Sequence, residues 1–184
     1  MDRDTLKIQE SDEIIRPVRF SVEDNHRAFE EWGFNCGPGA LCAVLNLTPD
    51  EIRPKLGSFE RKRYTDPELM LEVLARCGAD YSQIFESDDP SDRLPPVSHG
   101  LVRIQWGGPW ALPGMPMFDR YRKTHWIAIR NGNRDVFDVN AMSVGGWLPY
   151  NEWTNHLVPW LCGLAVPEWD GTWWATHAIE VKPR

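Results

Sequence analysis

Residues 125–140 read HWIAIRNGNRDVFDVN. Two runs that alternate apolar and polar positions flank Asn131-Gly132-Asn133, the strongest short-range signal for a β-hairpin. If Asn131-Gly132 forms the turn, paired residue numbers sum to 263 and His125 faces Asp138. If the turn is Gly132-Asn133 the sum is 265 and His125 faces Asn140. A three-residue loop pairs His125 with Val139 and makes both candidates diagonal neighbours. The two-residue registers bring a side-chain oxygen to within about 4.5–5.5 Å of the imidazole, Cβ to Cβ. Such an acceptor fixes the tautomer and orientation of a histidine.

Working outward, Leu101–Trp106 reads as a strand and Trp173–Val181 as a final one, with a Gly/Pro/Met-rich loop at Gly107–Lys123 long enough for an active-site flap. Upstream the period changes. Asn35-Cys36-Gly37-Pro38-Gly39 precedes the apolar run Ala40–Leu45, a turn feeding a helix that ends near Asn46. Thr48-Pro49-Asp50-Glu51 is a capping box, and Asp66-Pro67-Glu68 starts a helix ending at Gly78. Helices first and antiparallel strands later predict an α+β fold, with an N-terminal arm at 1–29, a helical part at 30–80 and a sheet part at 100–184. The stretch IIRPVRFSV within the arm reads as extended or as short strands.

The 184 residues are 42% hydrophobic and 26% charged, ordinary for one folded domain. Net charge is −7 and the longest basic block is Arg61-Lys62-Arg63, which argues against nucleic acid as a partner. The longest apolar run, Ala40–Leu45, is too short to span a membrane. The opening MDRDTLKIQE has no apolar core of a secretory signal, so the expected setting is cytoplasmic, with reduced thiols. Four cysteines without a Cys-x-x-Cys give no support for a zinc site.

Cys36 then supplies a nucleophile. At a helix N-terminus, unpaired amides and the macrodipole favour a thiolate, and a nearby imidazolium favours it further. Its own N–H offers an oxyanion donor. The expected constellation is Cys36, His125 as base, and Asp138 or Asn140 as orienting group. Cys42, Cys77 and Cys162 read as packing residues. Nine of the ten tryptophans fall from Trp106 onward and read mainly as packing, with Trp147, after Gly145-Gly146, a candidate cleft wall.

The Cys-Gly-Pro turn opening a small-residue helix, the downstream His-Trp-Ile-Ala-Ile strand and the Asp-x-Asn return resemble the papain-like cysteine peptidase superfamily. Within it they are nearest the branch of bacteriocin-leader-processing peptidases. The resemblance covers roughly residues 30–153. It implies a papain-like fold and a thiol protease or amide hydrolase acting on a peptide or protein through a thioester, without metal or cofactor. That family usually carries Gln six residues before the nucleophile as an oxyanion donor. Glu30 stands there in this chain, and Gln105 is a second amide that could face the cleft. The departure keeps open a degenerate, binding-only module, or a deamidase, transamidase or acyltransferase using the same Cys-His pair.

Overall fold

The computed structural model describes residues 17–183 apart from 113, 122 and 167. Five helices come first: α1 (Val22–Trp32), α2 (Cys36–Leu45), α3 (Pro49–Ile52), α4 (Phe59–Lys62) and α5 (Pro67–Arg76). Their ends follow local chemistry. Ser21 and Asp24 close a capping box on α1, Thr48 and Glu51 another on α3, and Asp66 accepts the Leu69 N–H on α5. Asn46 ends α2 in the left-handed conformation that Asn tolerates.

Six strands form one antiparallel sheet: β1 (Tyr81–Glu86), β2 (Gly100–Trp106), β3 (Thr124–Arg130), β4 (Asp135–Phe137), β5 (Trp147–Pro149) and β6 (Trp173–Val181), in the order β1-β6-β2-β3-β4-β5. The fold is α+β. The pleat sorts the core into two layers. Trp126 and Ala128 join the cluster built from α1, α2 and α5. Ile127 and Ile129, pointing the other way, pack with Trp153, Val158 and Cys162. The latter belong to one helical run made of α7 (Tyr150–Glu152), a π-helical turn (Trp153–Leu157) and α8 (Val158–Ala165). Pro159 lies just past the π turn and has no N–H to give, which goes with the irregular hydrogen-bonding there.

Several expectations are corrected. Residues 22–29 are helix rather than arm: α1 is polar but buries Ala28 and Trp32 four residues apart and ends at Gly33, whose φ is 71°. Residues 1–16, including the first three of IIRPVRFSV, lie outside the described residues, and the rest of that stretch, from Pro17, forms no strand but leads into α1 at Val22. The sheet part holds a helical run at Tyr150–Ala165, and the loop after Gly107 contains a 3-10 turn (Pro109–Ala111) and a helix, α6, at Met117–Tyr121. The hairpin pairs Arg130 with Asp135, the 265 register, across a four-residue connection at 131–134 rather than a two-residue turn.

Candidate active site

Cys36 is the first residue of α2, and Asn35 caps that helix by accepting the Gly37 N–H through Oδ1 at 3.1 Å. As the first helical residue, Cys36 has no intrahelical acceptor for its own N–H. The glycines that follow permit close approach. A Cβ at Gly37 would collide with Thr65, and one at Gly39 would lie 2.9 Å from Val139 Cγ2. Gly37→Ala is therefore expected to displace Thr65, destabilising the protein by about 1–3 kcal/mol. Urea denaturation measures this, with Gly37→Ala/Thr65→Gly expected to recover most of the loss.

His125 lies in β3 opposite Ile104 of β2. Its Nε2 donates to Asp138 Oδ2 at 2.8 Å. The other ring nitrogen, Nδ1, is left for Cys36, whose thiol is hydrogen-bonded to this imidazole and also accepts from the Trp126 backbone N–H. Trp106 lies nearly parallel to the imidazole, with ring centroids 6.0 Å apart.

Asp138 is fully buried and densely donated to. Beyond His125, its Oδ2 accepts from Trp153 Nε1 at 2.9 Å, and Oδ1 accepts from Asn140 N at 3.0 Å and Asn140 Nδ2 at 2.8 Å. The approach to His125 is not a ladder pairing. In the 265 register Asn140 would face His125, but β4 stops at Phe137 and the chain enters a 3-10 helix (Val139–Val144) that Asp138 itself caps. The carboxylate thereby turns toward the imidazole, and Asn140 becomes its donor.

The electrostatics follow from this packing. Burial pushes the Cys36 thiol up, but the His125 charge, its hydrogen bond and the Trp126 N–H outweigh burial and hold the thiol below its usual range. Burial pulls His125 down, while Asp138 and Cys36 raise it well above the ordinary imidazole value. Burial raises Asp138, and the opposing His125 charge and its hydrogen bonds keep that carboxyl below the usual range. The three shifts favour the thiolate, the imidazolium and the carboxylate, a pattern of perturbed groups concentrated at functional sites. The other two thiols of known direction differ: burial pushes Cys42 well up and Cys162 up to about 12.

The remaining candidates lie apart from this chain. Glu30 is exposed on α1. Gln105 is buried, but its Nε2 donates to the Trp106 and Lys123 carbonyls at 3.1 and 3.0 Å. Trp147 lies under Arg130, 4.0 Å from guanidinium carbon to ring centroid, and meets Phe137 edge-on; it borders a separate groove of about 970 Å³. Sequence reasoning missed the indole of Trp153, the Trp126 N–H and the Trp106 ring. Only Trp106 had a signal, its place at the end of the strand that precedes the one carrying His125 in the chain. Among the described residues, no group of three His, Cys, Asp or Glu side chains could hold a metal, and no helix is long and apolar enough to cross a membrane.

Comparison with protein-family models, with curated proteins and with solved structures found no match to the chain.

Proposed function

We propose that this chain is a papain-like cysteine hydrolase of peptide or amide bonds, acting on a peptide or protein substrate. The observation that carries the reading is the continuous hydrogen-bonded chain from Cys36 through His125 to the buried Asp138. The order of parts also fits the resemblance: nucleophile at the head of an early helix, histidine on a later strand, acid on the return of its hairpin. All four cysteines are free, which suits a reducing, cytoplasmic setting.

In the proposed reaction the Cys36 thiolate attacks the carbonyl carbon, forming the C–S bond, and the carbonyl oxygen takes the charge toward the Cys36 N–H. Collapse breaks the C–N bond as His125 Nδ1 gives its proton to the leaving amine. The neutral imidazole then takes a proton from water, whose oxygen attacks the thioester carbon. The C–S bond breaks, and the products are a carboxylic acid, which gives its proton to solvent to become a carboxylate, and a restored thiolate–imidazolium pair. Asp138 holds the ring in line throughout and stays ionised.

One observation favours a second reading, a cleft that binds without cutting: Gln105, the sequence's alternative source of a second oxyanion donor, spends its amide hydrogens on backbone carbonyls. Incubation with a mixed peptide library, read by mass spectrometry, separates the two. Hydrolysis by the wild type that is lost in Cys36→Ala supports the hydrolase. An intact library with peptides retained equally by both proteins favours the binding module.

A further inference from the structure

A cavity of about 240 Å³ borders the imidazole, and its lining does not include Cys36. Trp106, Leu161 and Val166 supply apolar walls and Asn140 an amide, and Lys123 completes the lining with Thr124 and His125. This is below the roughly 300–1,000 Å³ of pockets that take drug-sized ligands, and suits one residue rather than an extended peptide. None of its lining residues carries a carboxylate. Lys123 Nζ rests over the Trp110 ring, 5.2 Å from its centroid, and among the described residues it makes no ion pair. The ammonium thus sits over Trp110, whose indole N–H donates to the carbonyl of the lining residue Trp106, and no carboxylate takes up its charge among the described residues.

Resting on the hydrolase reading, we infer that this cavity receives the leaving residue and selects one that carries a carboxylate, which Lys123 binds. The leaving amine must lie against the Nδ1 that protonates it, and the cavity borders the same ring without being lined by Cys36. As the C–N bond breaks and Nδ1 transfers its proton to the amine nitrogen, the departing residue would keep its apolar body between Trp106, Leu161 and Val166. Its carboxylate would meet the ammonium. Two sources share that chemistry: the free C-terminus of a substrate, and an acidic side chain.

The test uses thiol capture, which does not require turnover. Cys36 is alkylated with iodoacetyl-leucine, iodoacetyl-leucinamide, iodoacetyl-glutamic acid α-amide and plain iodoacetamide, and second-order rates are compared by mass spectrometry. The free acid of leucine is expected to react about tenfold faster than its amide, the scale of one charge-assisted hydrogen bond. With each rate divided by the same protein's iodoacetamide rate, Lys123→Met should bring the acid-to-amide ratio to about one, while Lys123→Arg retains the preference. A preference for the glutamic reagent alone assigns the carboxylate to a side chain. Equal rates for acids and amides, or a preference that survives in Lys123→Met, overturn the inference. An iodoacetamide rate typical of an ordinary thiol instead defeats the hydrolase reading, whatever the ratios show.

Discussion

Iodoacetamide will modify Cys36 before the other three cysteines, with a rate that already rises at a pH well below that of an ordinary thiol, and His125→Ala will abolish the advantage. Burial alone would make this thiol a poor nucleophile, as it does for Cys42 and Cys162. Only the imidazolium, its hydrogen bond and the Trp126 N–H reverse that tendency. Without the imidazole, burial prevails and the thiol returns to at least its ordinary value of about 8.5, leaving about 1% thiolate at pH 6.5. The alkylation rate at pH 6.5 should therefore fall by up to about a hundredfold in the variant, and the two proteins should converge above pH 10. Quenched labelling with each cysteine located by mass spectrometry measures it. Equal rates at pH 6.5 would show that His125 does not activate the thiol.

Much of this site was legible because it rests on local rules. A Pro and two Gly before an apolar run place Cys36 at the head of α2, and the alternation in residues 125–137 places His125 on a strand beside a returning one. The 263 register would have paired Asp138 with His125 across a ladder. The ladder instead runs in the 265 register and ends before Asp138, so the contact arises from a 3-10 turn that strand pairing does not foretell. Trp153 was hidden for a different reason. Its partner lies fifteen residues away across the sheet-to-helix turn, and its helix is disguised by Pro159 and by aromatic residues that read equally well as strand. Likewise α1 has just two buried side chains, too few to announce a helix against its charge, and β1 is an edge strand with most of its residues exposed or half-exposed.

Asp138→Ala should be the most destabilising single change at the site. The substitution strands the His125 imidazolium and the Trp153 Nε1–H in buried surroundings, and it also removes the acceptor of both donors of Asn140, which is itself exposed. Breaking a buried, hydrogen-bonded ion pair from one side costs about 3–5 kcal/mol. For a chain of this length that is a fall in Tm of roughly 10 °C by calorimetry. Asp138→Asn is the sharper probe, because it keeps the shape and removes the charge, and the pH dependence of its deficit has a defined sign. The folded carboxyl is depressed, so its stabilisation is present above the unfolded value of about 3.9 and is lost as pH falls through the folded value. The folded imidazole is raised, so its stabilisation is complete below about 6.5 and is lost as pH rises through the folded value. The gap between wild type and Asp138→Asn should thus be widest between about pH 4 and 6.5 and narrow on both sides. A purely steric role for Asp138 predicts a gap that does not change with pH. Chemical denaturation of both proteins across that range decides whether the carboxylate acts on His125 through its charge or through its shape.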